Sequence, residues 1–384
     1  MIREIPAFCW RMERKGDYMY ELTNEQRRCF ALKPVSAEWQ RMKVRPGPQD
    51  DYELIAYVNG RKLVKCLLFN ETRYDEWEIS ETLSEDGQYL LPKTAKGKPV
   101  PLSAPNLLKR TAIGMELIYN HKHICLFNNS TQCHYFSSDY VNSVFDSPEK
   151  ENIDGFGKWV EQWCAETVEK DIREVEAFAS QPRRHVKYKE GDVFRIKLGR
   201  CQYTYGRILL NYSKMRKEKQ EFWDILMTNP LVCSVYHILT DDADVSVEKL
   251  KQLKSLPSCI MSDNALYYGD YEVIGNIPVS NEEDYPIMYG NSISYLERDQ
   301  GVVYFQQGKT YRRIENSKAL YDGFRNNGIG CGLKFTVDIL RKCIDTGGNG
   351  PYWEEYYSCH TNRDLRNPKY KEQLEKIKKQ MKGN

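Results

Sequence analysis

Among the 12 cysteines of this 384-residue chain there is no Cys-x-x-Cys pair. That absence removes the usual zinc-ribbon and dithiol-redox spacings. Several cysteines lie inside apolar runs instead, Cys66 in KCLLF, Cys125 in ICLF and Cys233 in LVCSVY, where a reduced thiol behaves as a small hydrophobe. Long apolar runs are missing as well. Nothing approaches the roughly 20 residues of a membrane span, and the opening MIREIPAFCWRMERKG holds no core of signal-peptide length. A cytoplasmic, reduced protein with no membrane partner is therefore expected. Nor does one sign of charge dominate: 56 Lys and Arg face 54 Asp and Glu, for a net charge of +2. This balance argues against a dedicated nucleic-acid binder, while leaving room for a local basic patch.

Enzymatic signatures are equally scarce. The chain has neither a Gly-x-Ser-x-Gly elbow nor a His-Glu-x-x-His motif. Gln306–Thr310 imitates the end of a phosphate loop, but Val303 stands where the first glycine is required. Gly328–Gly332 lacks the last glycine of a dinucleotide fingerprint, because position 333 is Leu. His121, His123 and Cys125, with Cys133 and His134 nearby, offer zinc-ligand types at spacings that match no compact zinc motif. No metal and no cofactor are expected.

What is present reads as an α+β chain of two domains, the second a β-rich antiparallel sheet or small barrel with flanking helices. The boundaries are placed at 1–180, 186–346 and a C-terminal extension over 347–384. In the first domain, Asp51–Phe69 reads as a hairpin turning at Asn59-Gly60 through a type I′ turn. Met115–Phe127 adds another strand pair or one long strand, and Leu90–Leu108 reads as an exposed loop. Phe156, Trp159, Trp163, Val168, Ile172, Val175 and Phe178 recur at helical spacing and predict one helix over Asp154–Ser180. Further on, helices are predicted over Met215–Met227, Val245–Leu253 and Leu333–Ile344. Strands are predicted over Leu231–Leu239, Ile293–Leu296 and Gly301–Ile314. In the tail, Tyr370, Leu374, Ile377 and Met381 share one face of a basic helix.

The segment Lys189–Leu210, KEGDVFRIKLGRCQYTYGRILL, carries the most information. A Gly191-Asp192 turn opens a strand in which Val193, Arg195 and Lys197 point one way and Phe194, Ile196 and Leu198 the other. A return strand holds Tyr205, Gly206 and Arg207, and a later island, DYEVIGNIPVS, contributes Ile274, Gly275 and Pro278. These motifs resemble the immunity protein 26 family of bacterial polymorphic-toxin systems. The resemblance covers about Tyr188–Ile314 and leaves the first domain unassigned. It implies a cytoplasmic, non-catalytic protein that binds and neutralises a cognate toxin encoded by an adjacent gene, and it carries over no catalytic residue.

Candidate partner contacts are two acidic loops, Asp241, Asp242 and Asp244, and Glu282, Glu283 and Asp284, with Tyr267, Tyr268, Tyr271 and Tyr285 as aromatic anchors. A basic toxin surface would gain association rate from such carboxylates. Two alternatives stay open: an enzyme whose site is dispersed along the chain, and a nucleic-acid or protein interaction module.

Overall fold

The computed structural model describes residues 20–47, 51–85, 89–120, 123–137, 153–212, 215, 229–290, 302–315, 318, 320–321, 323–324, 333, 335–348, 350–353 and 364–382. The chain divides into two units, one of Met1–Lys122 with Ser147–Ala179 and one of His123–Asp146 with Ser180–Asn384.

In the first unit, strands β1 (Gln40–Val44), β2 (Glu53–Asn59), β3 (Lys62–Asn70) and β4 (Arg73–Thr82) pair antiparallel in that order. Short strands β5 (Ser84–Glu85), β6 (Tyr89–Leu91) and β7 (Val100–Pro101) form a small sheet, and β8 (Ile113–Asn120) pairs with β4. Helices α1 (Asn24–Arg28), α2 (Ala104–Leu107), α3 (Ile153–Glu166) and α4 (Glu169–Ala179) complete the unit. Thr23 starts α1 through a capping box with Gln26, which satisfies two otherwise unpaired backbone donors.

Three expectations change here. The β2–β3 hairpin exists, but Asn59 pairs with Lys62, so the loop is Gly60-Arg61. Only Gly60 has a positive φ, +60°. A type I′ turn needs two such residues, so this turn is not of that kind, and glycine takes its first central position. The region over Leu90–Leu108 is not an exposed loop, because Leu91, Ala104 and Leu107 are fully buried in the sheet's core. The predicted single helix is two. It breaks at Thr167-Val168, where the Thr167 hydroxyl donates to the Trp163 carbonyl and Asp171 accepts from the Val168 N–H, restarting the helix. Trp159 and Trp163 each stack on Phe30, with ring centres 6.0 and 5.9 Å away.

The second unit contains β9 (His123–Asn128), β10 (Cys133–Ser137), β11 (Asp192–Lys197), β12 (Tyr203–Asn211) and β13 (Pro230–Val235). Then follow α5 (Val247–Leu250), β14 (Cys259–Ser262), α6 (Asn264–Tyr267), β15 (Glu272–Asn276), β16 (Ile287–Gly290), β17 (Val302–Gln307), β18 (Thr310–Glu315) and β19 (Gly323–Phe324). Helices α7 (Val337–Asp345) and α8 (Lys371–Lys382) close the chain. The strand order β14-β13-β12-β11-β15 forms an antiparallel sheet, and β18-β17-β16-β19 forms a second. Strands β11, β12 and β15 thus share one sheet, with Ile277 just past the end of β15. Among the described residues the small-barrel option is not realised, since β14 and β15 end the sheet.

The alternation read in β11 is the reason for a two-sided core. Phe194, Ile196 and Leu198 enter one cluster with Val337 and Leu340 of α7, and Val193 enters another with Tyr205, Val245 and Leu250. Thr336 caps α7, and Ser246 caps α5. The tail face was read correctly: Ile377 and Met381 are buried, with Tyr370 and Leu374 packed beside them. Of the helix over Met215–Met227 only Met215 is described, and the strand over Ile293–Leu296, the Gly328–Gly332 segment and His121 lie outside the described residues.

Candidate protein-binding surface

The turn and packing motif residues build the sheet frame beside which one acidic loop is held by Tyr205. Gly191 has φ +88°, and a Cβ there would lie 2.6 Å from the Ile277 carbonyl. Its N–H donates to Ile208 and its carbonyl accepts from Ile277, each at 2.8 Å. Beside it, buried Asp192 accepts from the Lys189 N–H at 2.8 Å and from the Asn276 side-chain amide at 2.8 Å. The turn is thereby fixed to both neighbouring strands. At Gly206 a side chain would meet the Phe194 ring at 2.4 Å. Ile274 is the extra residue of a bulge in the β11–β15 ladder, and Gly275 lets Val247 of α5 approach.

On this frame Tyr205 donates its hydroxyl to the Asp242 carbonyl at 3.0 Å and accepts from the Val245 N–H at 3.4 Å. Arg195 donates to the Ala243 carbonyl at 2.5 Å and also pairs with Glu272 and Asp244. Asp242 accepts from the Asp244 N–H at 2.8 Å, an Asx turn that closes the loop locally. Asp241, Asp242 and Asp244 are all exposed, and the Asp244 side chain is 96% accessible. Exposed Glu272, which shares Arg195 with the loop, stands beside it. Sequence reading missed Arg195 as the cation that organises it, because its three partners come from other elements.

The second acidic loop is different. Glu283 is paired with half-buried Arg207, which also donates to the Pro278 carbonyl, and Asp284 accepts from the Ser258 N–H and from Arg366 at 2.8 Å. Arg366 is itself held by Asp364 at 2.7 Å. Glu283 and Asp284 thus tie the chain together, although Asp284 stays exposed, and Glu282 is exposed beside them.

The tyrosines divide in the same way. Tyr271 is in the core, stacked on Phe194 with ring centres 5.4 Å apart. Tyr285 is half-buried, sits against Gly308 and packs beside the Leu209–Tyr212 cluster. Tyr267 and Tyr268 are accessible, and what lies on their rings is His185 and Arg183 rather than carboxylates. Of the zinc-type residues, Cys125 and Cys133 are buried, and His134 Nδ1 lies 2.7 Å from Asp270 Oδ2. Burial raises the Cys133 pKa, and the charge of Asp270 adds to this. Its thiol is therefore poorly suited to nucleophilic work.

No helix among the described residues is long and apolar enough to cross a membrane. No curated protein and no solved structure matches the chain. The sheet turn at Gly191, the Arg195 anchor and the acidic loop all fall in one recognisable stretch: residues 189–300 match the family model of Immunity protein 26.

Proposed function

We propose that this protein is a cytoplasmic, non-catalytic immunity protein that neutralises a cognate toxin encoded by an adjacent gene. The observation that carries this reading is the acidic loop at Asp241–Asp244, built and held rigid by residues of the stretch that matches the immunity family. Asp241, Asp242 and Asp244 present carboxylates on a loop held by Tyr205 and Arg195, so little ordering entropy remains to be lost on binding. The fitting partner surface is basic, as in the substrate cleft of an enzyme acting on an anionic substrate, and opposite charge steers the encounter. Tight inhibition of this kind buries roughly 1,200–2,000 Å² in total.

The test is co-expression with the toxin encoded next door, followed by recovery of the complex. Cell survival with a stoichiometric complex supports the reading. Death despite folded protein, with no complex formed, refutes it for that pair. The charges are checked separately. The double variant Asp241→Lys/Asp244→Lys is expected to slow association by roughly 10-fold or more at low salt and to flatten its salt dependence. Both side chains are exposed, so thermal stability should stay within about 0.5 kcal/mol of the parent. An unchanged association rate would remove the acidic loop from the interface.

A further inference from the structure

The second unit carries another surface of opposite character. Residues 183–189 run RRHVKYK: Arg183 and Arg184 are exposed, and from His185 onward exposure alternates, with His185, Lys187 and Lys189 facing solvent while Val186 and Tyr188 turn inward. Side chains on one side of such a chain recur about every 6.6 Å. The segment is fixed rather than loose. Its Val186 N–H donates to the Tyr267 carbonyl at 2.7 Å, Tyr188 donates its hydroxyl to buried Asp263, and Arg184 reaches the Gly269 carbonyl at 3.4 Å. Beside it stand the two accessible tyrosines. The His185 imidazole stacks on Tyr267 with centres 4.5 Å apart and planes 14° from parallel, and the Arg183 guanidinium lies 4.7 Å from the centre of the Tyr268 ring.

We infer that this strip binds single-stranded nucleic acid, with Arg183, Arg184, Lys187 and Lys189 on phosphates and the Tyr267–His185 and Tyr268–Arg183 pairs as stacking platforms for bases. Cations recurring along an extended chain meet a strand that carries one phosphate per nucleotide. Aromatic faces next to them take bases of any sequence, because every base has a π-face. An acidic protein segment would use the cations and gain little from the rings. The aromatic pairs therefore favour nucleic acid. This inference does not depend on the toxin-neutralising role, since it uses neither the acidic loop nor its partner.

The experiment is fluorescence anisotropy of a short labelled oligodeoxythymidine with the full-length protein. Binding is expected at low salt, weakening about 20- to 50-fold between about 50 and 200 mM salt if three or four phosphates are neutralised. The double variant Arg183→Glu/Arg184→Glu should lose binding about 10-fold or more, given the salt-dependent electrostatic share of such contacts. Tyr267→Ala and Tyr268→Ala should each lose about 5-fold or more, while Tyr267→Phe, which keeps the ring, should bind as the parent does. Asp241→Lys serves as a folded control expected to retain binding. Absence of binding at low salt would overturn the inference. So would binding that is indifferent to both alanine substitutions and is competed equally by polyglutamate, which would mark the strip as a surface for acidic protein.

Discussion

Replacing Glu76 with glutamine is expected to destabilise the protein by about 3–5 kcal/mol at neutral pH, read as a lowered midpoint in urea unfolding. Glu76 and Lys65 are both fully buried in the first unit, on adjacent strands β4 and β3, and their side chains are paired. Arg27 of α1 donates to the same carboxylate at 2.7 Å, and Tyr74 donates its hydroxyl at 2.6 Å. This carboxylate is shared by two buried cations, while Arg27 keeps a further partner in Glu21 at 3.2 Å. Removing its charge strips Lys65 of its paired carboxylate and leaves it beside Arg27 away from water, a larger loss than a surface pair would give. The Lys65 pKa is already lowered, chiefly by burial, so part of the response should be loss of its proton. Replacing Lys65 and Glu76 together by Met and Leu should recover part of the loss, because no second charge is then stranded with Arg27.

The pH dependence follows from the same cluster. Burial pushes the Glu76 pKa up, but Lys65 and Arg27 more than offset this and hold it below its ordinary 4.5. The carboxylate's contribution is thus fully present above about 4.5 and lost as pH falls through the lower folded-state value. The stability gap between the parent and Glu76→Gln should narrow on acidification. A gap that stayed constant down to strongly acid pH would show that the glutamine acts through packing instead of charge.

The next largest effect is expected at Gly206, where alanine should cost about 1–3 kcal/mol by overpacking. An added Cβ would fall 2.4 Å from the Phe194 ring and 2.9 Å from the Ser234 carbonyl. Both neighbours are confined, since Phe194 is fully buried and stacked on Tyr271, and Ser234 lies in the adjacent strand opposite Arg207. Shrinking the ring should relieve part of the clash. In a double-mutant cycle, Gly206→Ala combined with Phe194→Leu should therefore cost less than the two single changes added together. Strict additivity would mean that the backbone near Ser234, not the ring, sets the penalty. Because β12 also carries Tyr205, a destabilised sheet should loosen the 241–245 loop, which hydrogen exchange at Val245 would report.

Local chemistry alone determined much of this protein. The alternation in Val193–Leu198 placed its two faces, Gly191 marked the turn before it, and the spacing of Tyr370, Leu374, Ile377 and Met381 gave the buried side of the tail. These signals are legible because each rests on the dihedral or face preferences of neighbouring residues. The β2–β3 turn and the helix break at Thr167-Val168 fell between such signals, since one residue of register or one side-chain cap decides them. Tertiary structure alone decided which charges are available. Glu283 finds Arg207 from 76 positions away and Asp284 finds Arg366 from 82, whereas the sequence shows only three adjacent acids. Arg195 reaches the Ala243 carbonyl across 48 positions, and Arg27 reaches Glu76 across 49. Tyr271 and Tyr267 are four residues apart, yet one fills the core and the other faces solvent under an imidazole. Coulomb attraction and burial act on distance in space, so a charge or ring acquires its role only when folding sets what lies within a few ångströms of it.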